Sequence, residues 1–448
     1  MLALALLFLA LLLPTASASA APPPRFASIL VVSIDTLRAD RLSGYGYERP
    51  TSPHIDTLLG AGVRFGAARC VEPLTGPSMI SVMTSLYPHE HGATRNGMAM
   101  RPDLPSLPKV LKRRGFETVA LVSNWTLKNR LSGLGEHFAE FEEVFTRKRW
   151  LGLLNSEATG EDVTDAALEW LEAHQEQGER RPFFAWVHYV EPHAPYRYHE
   201  EFAATLGLPK GQEPSRSDRY DTEVAFVDAA IGRLLDRVRE LVPMESLIIV
   251  LMADHGENLG EHGYWGHGRQ LWEENLRIPM ALTWKGTLTP ATIEAPASNL
   301  DLAPTLLGLL GLPIPETFRG HDWSAVLRGQ APAPQDRKTY HQAHKGAVTP
   351  NQNQDRVRRR GLLEVSVVSG ERKETQRVKA GDGRLSVFSL RDDPGELDSL
   401  VLPKSSPSDD LAAWLQAVQE GLEAADSLPT ENLDAESIER LRSLGYLD

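Results

Sequence analysis

Two short apolar runs, each ending in an acidic residue, do most to limit the folds open to this chain. Residues 29–34 are aliphatic and mostly β-branched and lead into Asp35, and residues 247–253 lead into Asp254 and His255. Such runs are typical of buried parallel strands. Open α/β sheets bind their ligands at the carboxyl ends of the strands, so we expect these three side chains to lie together.

The order of the remaining segments predicts an α/β fold with a large, mostly parallel sheet flanked by helices. Further strands are expected at residues 117–123, 182–189 and 279–284. Helices are expected at residues 53–61, 77–85, 107–114, 160–175, 222–240 and 302–310.

A Pro- and Ala-rich linker at residues 331–336 precedes a second, smaller unit. Two alternating runs, 360–368 and 385–390, predict strands of a small C-terminal antiparallel sheet. Helices at 409–425 and 434–444 are expected to accompany this sheet.

Composition excludes some classes of partner. The 448 residues, 42% hydrophobic and 24% charged, are ordinary for a globular protein with one large α/β unit and one smaller unit. A net charge of −13 argues against non-specific binding to nucleic acid or to an anionic membrane surface. Cys70 is the only cysteine, so no intrachain disulfide can form, and we interpret it as a small buried residue.

The N-terminus has the features of a targeting segment. A Leu- and Ala-rich run at residues 2–13 is followed by small residues, which predicts a cleaved signal peptide over residues 1–20 and export to the periplasm or the cell exterior. The run is short for a membrane span, so no stable span is expected after cleavage. An uncleaved N-terminal anchor is the alternative.

Thr75 is the candidate nucleophile. It precedes a Gly-Pro turn and a predicted helix, whose N-terminal end would offer free N–H groups and a positive dipole end to an anionic ester. A threonine hydroxyl is inert near neutral pH unless a base or a metal removes its proton. With Asp35, Asp254 and His255 it would form a four-ligand site of oxygen and nitrogen atoms. Such a donor set favours zinc or manganese, with calcium as a third candidate.

Two histidines are candidates for contact with the substrate. His193 follows the predicted strand 182–189 in a Pro-rich loop, where a positioned acid or an anion ligand would be well placed, although a surface histidine is the alternative. His267 has a glycine on each side and is expected to be free to reach the substrate. His188 lies inside the strand and is interpreted as a core histidine. Glu257 is interpreted as an outer hydrogen-bond partner or a helix cap.

Other polar residues near these motifs allow two interpretations each. Arg38, Arg41 and Arg269 are candidates for binding an anion, or they are solvated surface charges. His262 lies in the same glycine-rich loop as His267, with a weaker case for a functional role.

Taken together, these motifs resemble the sulfatase family of the alkaline-phosphatase superfamily. The segments that fall in the family's order are residues 33–40, 75–78, 87–92, 191–193, 220–228, 254–257 and 275–279. The similarity extends over roughly residues 27–325, and residues 390–396 resemble part of the family's small C-terminal sheet. The resemblance implies a sulfatase-like catalytic domain at 27–330 and a C-terminal subdomain at 337–448.

The resemblance also implies roles for individual residues. It implies a metal-bound nucleophile that attacks a sulfate or phosphate ester and forms a covalent intermediate. The implied metal ligands are Asp35, Thr75, Asp254 and His255. His193 and His267 would contact the ester oxygens or the leaving group.

The chain departs from the family pattern around the nucleophile. Typical sulfatases have Cys or Ser, converted to formylglycine, where this chain has Thr75, and Arg where it has Met79. They have a second Asp at the position of Thr36, and Lys and His near Asn124 and Thr126. Threonine cannot be oxidised to the aldehyde, so formylglycine is not expected. The remaining ligand set resembles that of phosphoethanolamine transferases.

The sequence therefore predicts an exported, metal-dependent hydrolase that acts on an anionic ester through Thr75, with a phosphate ester favoured over a sulfate ester. A phosphoethanolamine-type group transferase is one alternative, and a catalytically silent binding protein on the same fold is another. The natural substrate, the number of metal ions and the oligomeric state stay open.

Overall fold

An eight-stranded sheet forms the centre of the protein. The computed structural model describes residues 26–145, 158–176, 181–346, 361–378, 383–400, 405–425, 438, 439 and 442. The strands of the central sheet, numbered in chain order, are β1 Ser28–Ile34, β2 Val63–Phe65, β3 Glu117–Val122, β4 Glu140–Glu143, β5 Phe183–Tyr189, β6 Leu247–Ala253, β7 Met280–Thr283 and β8 Ala291–Ile293. They lie side by side in the order β8-β2-β7-β6-β1-β5-β3-β4.

Strand β1 lies near the middle of this sheet and is parallel to both of its neighbours, β5 and β6. Every residue of these three strands is buried, as expected for apolar runs covered on both faces. Within the sheet, β7 alone runs antiparallel to its neighbours. The prediction of a large, mostly parallel sheet is confirmed.

Helices pack against the central sheet through one continuous apolar core. The α-helices in the described residues are Pro53–Ala61, Thr75–Thr84, Pro88–His91, Leu107–Arg113, Asn129–Ser132, Gly160–Glu176, Glu200–Ala203, Arg216–Leu241, Glu273–Leu276, Leu302–Leu309, Ser324–Leu327 and Asp409–Ala425. The helix predicted at 222–240 begins at Arg216, because Ser215 and Asp218 form a capping box ahead of the apolar stripe.

A four-stranded antiparallel sheet forms a second layer of structure. Its strands, in spatial and chain order, are β9 Lys338–His344, β10 Leu362–Ser369, β11 Arg372–Arg377 and β12 Leu385–Ser389. The sequence predicts β10 and β12 but not β9 and β11. The latter two are rich in polar residues and lack the apolar alternation that indicates a strand. The helix Asp409–Ala425 packs on this sheet through Leu411, Trp414, Val418 and Leu422.

Several sequence predictions concern the ends of the chain. The signal peptide over residues 1–20 lies outside the described residues, as does most of the helix predicted at 434–444. Among the helices that the structure does describe, none has the length and apolar character required to cross a membrane. Cys70 is buried, as predicted.

Candidate active site

The structure brings together the four side chains that the sequence proposes as metal ligands. The hydroxyl oxygen of Thr75 lies 3.5 Å from Asp35 Oδ1 and 3.3 Å from His255 Nε2. The same His255 nitrogen lies 3.4 Å from Asp254 Oδ2. All four residues are fully buried at the carboxyl edge of the central sheet.

Backbone hydrogen bonds fix the two strand ends that carry the carboxylates. The N–H of Asp35 donates to the carbonyl of Tyr189 at 2.9 Å, which extends the pairing of β1 with β5 beyond the strands. Thr36 then turns the chain with a φ of 54°, and its N–H donates to Asp254 Oδ1 at 3.0 Å. Asp254 Oδ1 also accepts the N–H of His255 at 2.7 Å, so the tip of β6 is tied to the tip of β1.

The neighbouring glycine determines how the His255 ring is held. His255 Nδ1 lies 2.9 Å from the carbonyl oxygen of Gly256, which can only accept, so Nδ1 carries the proton and Nε2 faces Thr75 unprotonated. A Cβ atom at Gly256 would lie 2.0 Å from the carbonyl oxygen of Glu274. Glycine is therefore required for this chain path beside the ligands.

Thr75 is the first residue of its helix, two positions earlier than predicted, and all ten residues of the helix are buried. Few of the N–H groups at this helix end can reach a substrate. The N–H of Gly76 donates to Asn96 Oδ1 at 2.9 Å, Pro77 has none, and that of Ser78 donates to the carbonyl of Leu74 at 2.9 Å. The expectation of several free donors here is wrong.

Asn124, noted in the sequence only as a departure from the family, contacts the site directly. Its amide Nδ2 donates to Asp35 Oδ2. Its Oδ1 accepts the N–H and the hydroxyl of Thr126, each at 2.7 Å, and these bonds orient the amide. The position of Asn124 just beyond β3 is the signal that could have found it, because β3 ends at the same sheet edge. Met79, another of the departures, is an apolar core residue.

His188 was also missed as a candidate. It is the penultimate residue of β5 and is fully buried, with Nδ1 2.8 Å from the hydroxyl of Ser33. Ligand atoms of Asp35, His188 and Asp254 all lie within 4.8 Å of one another. Because His188 lies inside an apolar strand, the sequence favours a core residue. The sequence pattern of a strand does not show which groups its last residues face.

The two histidines predicted to contact substrate lie beside the ligands. The ring of His267 is centred 4.4 Å from that of His255 and 5.3 Å from that of His193. His193 Nδ1 lies 2.7 Å from the carbonyl oxygen of Ala194, so this nitrogen donates a hydrogen bond to it. His267 Nδ1 lies 3.1 Å from Glu257 Oε1.

His267, predicted to be free to reach the substrate, is held in place by its surroundings and lines the cavity described below. Its side chain is only 7% exposed. A Cβ atom at Gly268 would lie 2.5 Å from Leu74 Cδ2, so the loop packs tightly against the residue before Thr75. Burial lowers the pKa of His267 to about 4 and raises the pKa of Glu257 to about 7.

A cavity of about 660 Å³ opens beside His193 and His267. Three arginines and three aromatic residues contribute to its lining: Arg216, Arg219, Arg269, Tyr196, Tyr264 and Trp265. An arginine-rich lining suits an anionic substrate.

The other polar candidates have structural contacts. Arg38 forms ion pairs of 2.7 Å with Asp40 and with Glu261, and Arg41 lies 3.2 Å from Asp221. Arg38 and Arg41 are therefore paired with protein carboxylates and are not simply solvated charges. The ring of His262 is stacked on that of Trp272 with centroids 3.9 Å apart.

The ligand set fits a divalent cation. Asp254 Oδ2 is buried and has no hydrogen-bond partner among the described residues, which is unusual for a carboxylate oxygen. Burial and the nearby charge of Asp254 raise the pKa of Asp35 well above its usual value. A cation held here would neutralise both carboxylates, and His255 Nε2 and the Thr75 oxygen are suitable further ligands.

Comparison with known proteins identifies the family. The family model described as Sulfatase matches residues 27–312, more than half of the chain. The chain belongs to the sulfatase family. This is a family of ester hydrolases within the alkaline-phosphatase superfamily. The model described as N-sulphoglucosamine sulphohydrolase, C-terminal, matches residues 260–408, which include all four strands of the small sheet.

Relatives in the family are distant. The ulvan-active sulfatase of Formosa agariphila is 26% identical over 340 residues, which cover 69% of this chain and 66% of that protein. Arylsulfatase A of Bos taurus is 26% identical over 407 residues, which cover 77% of this chain and 75% of that protein.

Solved structures share the fold. That of yidJ from Bacteroides fragilis has a TM-score of 0.72 with 20% identity and covers 92% of this chain and 100% of its own. The phosphonate monoester hydrolase SpPMH of Silicibacter pomeroyi has a TM-score of 0.68 with 20% identity and covers 91% of this chain and 99% of its own. The α/β architecture with a small C-terminal antiparallel sheet is thus the sulfatase-like fold.

Proposed function

We propose that this chain is an exported, metal-dependent ester hydrolase that cleaves a phosphate or sulfate ester through Thr75. The observation that carries the proposal is the position of the Thr75 hydroxyl, 3.5 Å from Asp35 Oδ1 and 3.3 Å from His255 Nε2. A buried hydroxyl beside two metal-type ligands supports a role as nucleophile, because a threonine without such neighbours is inert. Family membership supports the same reaction class.

The proposed ligands of the cation are Asp35, Thr75, Asp254 and His255. When bound, a divalent cation would lower the pKa of the Thr75 hydroxyl, so that its proton leaves to solvent, and would stabilise charge on the transferred group. Zinc or manganese is favoured because His255 supplies a nitrogen ligand, and calcium prefers oxygen ligands throughout.

The proposed reaction has two steps. Thr75 Oγ1 forms a bond to the phosphorus or sulfur atom, the bond from that atom to the ester oxygen breaks, and His267 or His193 donates a proton to the departing oxygen. For His267 this role requires the negative charge of the bound ester to raise its lowered pKa. Water then attacks the group held on Thr75 and returns a proton to the same histidine. One water molecule is consumed for each ester cleaved.

The proposal favours a phosphate ester. Threonine at position 75 cannot become formylglycine, so an enzyme that uses it lacks the aldehyde chemistry of typical sulfatases. The names of the curated relatives, among them arylsulfatase A, favour sulfate. The fold itself is compatible with phosphorus chemistry, since it also occurs in a phosphonate monoester hydrolase.

A paired assay tests this proposal. Protein reconstituted with zinc, manganese or calcium is offered an aryl sulfate, a phosphate monoester and a phosphate diester. Thr75→Ala should abolish turnover, and Thr75→Ser should retain part of it. Thr84→Ala is the matched control, because Thr84 is a buried threonine of the same helix whose hydroxyl donates to the Ile80 carbonyl at 2.8 Å.

Other results would contradict the proposal. Turnover of none of the three esters, or equal turnover by Thr75→Ala, would refute the mechanism. Recovery of the transferred group on an added alcohol or sugar, with none released to water, would instead indicate a transferase. The intact mass of the peptide that contains residue 75 should be that of unmodified threonine.

A further inference from the structure

His188 is anchored by one ring nitrogen. Its Nδ1 lies 2.8 Å from Ser33 Oγ, which also accepts the indole N–H of Trp186 at 2.8 Å. A serine oxygen has two lone pairs, so it can accept from the indole and from a protonated Nδ1 together. That arrangement leaves Nε2 unprotonated and available as a ligand, and a metal-bound histidine usually donates its other N–H in this way.

The second ring nitrogen of His188 lacks a hydrogen bond. Its Nε2 is buried and has no hydrogen-bond partner within the described part of the chain. His341 shows what a satisfied core histidine looks like here, because its two nitrogens lie 2.8 Å from the Cys70 carbonyl oxygen and 3.0 Å from Thr339 Oγ1. Buried polar atoms are normally paired. Other described histidines also have an unpaired Nε2, but His188 is the one among them that shares a buried group of ligand atoms with Asp35 and Asp254.

A simple contact with Asp35 does not supply that partner. His188 Nε2 lies 3.8 Å from Asp35 Oδ2, which is beyond hydrogen-bond range, and Oδ2 already accepts the amide of Asn124. Asp254 Oδ2 and Thr36 Oγ1 are also buried without a hydrogen-bond partner among the residues described. His188 and Asp254 belong to one buried group of ligand atoms, and an unsatisfied polar atom on each of them indicates an ion that both residues face.

We propose that His188 Nε2 is an additional ligand of the cation, so that the metal centre has two imidazole ligands and selects zinc over calcium. The proposal rests on the metal-dependent function proposed above, and it goes beyond the four ligands named there. Ligand atoms of Asp35, His188 and Asp254 lie within 4.8 Å of one another, close enough to converge on one ion. Imidazole suits zinc, whereas calcium takes six to eight oxygen ligands.

X-ray absorption of the zinc-loaded protein tests the proposal without any substitution. The fine structure of the zinc edge counts imidazole ligands, and we expect two in the unaltered protein. His188→Gln, which preserves most of the side-chain volume, should reduce the count to one. A count of one in the unaltered protein, or a count of two that His188→Gln leaves unchanged, would overturn the proposal.

Binding isotherms of the metal-free protein provide the second measurement. His188→Gln should weaken zinc binding by more than about 100-fold, whereas loss of a residue that only hydrogen-bonds to a ligand weakens it by about 10- to 100-fold. Calcium binding should be nearly unchanged. His341→Asn is the matched control, because this buried histidine has both nitrogens bonded to protein, and it should leave zinc binding unchanged. Zinc affinity that is equal in His188→Gln and the unaltered protein would refute the inference.

The two proposals can fail separately. If zinc is held by two imidazoles but Thr75→Ala keeps full turnover, the proposed mechanism fails and the role of His188 stands. If the enzyme is active through Thr75 with only one imidazole on zinc, the role of His188 fails and the proposed function stands.

Discussion

Two clusters of buried charge in this protein are built in opposite ways. At the carboxyl edge of the central sheet, Asp35 and Asp254 lie together, and burial and this neighbouring charge raise the pKa of Asp35 well above its usual value. Where the helix Glu273–Leu276 meets the small sheet, Glu273 lies between Arg69 Nη2 at 2.8 Å and Lys373 Nζ at 3.1 Å. Burial by itself would raise the pKa of Glu273, but the two cations outweigh it and hold this pKa well below its usual range.

The second cluster has matched charges and extends into the small sheet. Lys373, on β11, is fully buried and also lies 2.8 Å from Glu396 Oε1. Glu396 in turn accepts the N–H of Glu273 at 2.6 Å. Each charge in this cluster has a partner of opposite sign within the protein, whereas no arginine or lysine among the described residues forms an ion pair with Asp35 or Asp254, whose neighbours are histidines. The first cluster is therefore suited to an external cation, whereas the second joins two parts of the fold.

The largest expected effect is on activity, at the first cluster. Asp35→Asn should lower turnover by at least about 10³-fold, because it removes a charged ligand and weakens the stabilisation of the transition state. Without metal, Asp35→Asn should be no less stable than the unaltered protein, because the substitution removes the repulsion between the carboxylates of Asp35 and Asp254. Turnover and Tm in the presence of a chelator check both expectations.

Asp221→Asn is the control for this prediction. Asp221 is also a buried aspartate, but it is paired with Arg41 at 3.2 Å and with Arg49 at 2.7 Å. Its substitution should lower Tm and leave the turnover of the folded enzyme unchanged. A clear loss of stability in metal-free Asp35→Asn would contradict the comparison.

The next largest effect is on stability, at the second cluster. Glu273→Gln should lower the free energy of unfolding by about 3–5 kcal/mol, because it leaves Arg69 and Lys373 buried without their shared carboxylate. Chemical denaturation at neutral pH measures this change. Glu172→Gln, which removes the exposed partner of Arg237, should change stability by less than about 1 kcal/mol. Equal effects of the two substitutions would show that the buried cluster does not stabilise the fold.

A third prediction separates the two candidate acids beside the first cluster. The histidine that protonates the leaving group should, when changed to Ala, lower turnover of an alkyl ester by about 10²-fold or more. The same change should affect an aryl ester with an acidic leaving group much less. Parallel assays of His193→Ala and His267→Ala on both esters assign the role. If both variants lose the same factor on both esters, neither histidine is the general acid.

The smallest effect is a pH dependence of the Glu273 contribution. Because its folded-state pKa is depressed, Glu273 contributes stability that is complete above the unfolded-state pKa, about 4.3, and is lost as the pH falls through the folded-state value. Plots of unfolding free energy against pH for Glu273→Gln and the unaltered protein should therefore converge below about pH 4. Plots that stay parallel from neutral to acid pH would be evidence against the depressed pKa.

Much of the fold could be predicted because its signals are local. The apolar runs of β1, β5 and β6 each predict a buried strand. Asp35 directly follows β1, and Asp254 and His255 directly follow β6. Strands β9 and β11 could not be predicted in this way, because their polar residues form a sheet only when paired with β10. The N-terminus of the long helix Arg216–Leu241 was missed because a capping box, and not an apolar stripe, marks it.

What the sequence alone determined is the set of chemical groups at the carboxyl edge of the sheet: two carboxylates, an imidazole and the Thr75 hydroxyl. Only the tertiary structure decided that His188 and Asn124 face the same point, that His267 is fixed, and that the helix end beside Thr75 has few free donors. The reason is physical. Strand and helix signals depend on neighbours along the chain, whereas the partner of a buried polar atom is chosen among residues that only folding brings close.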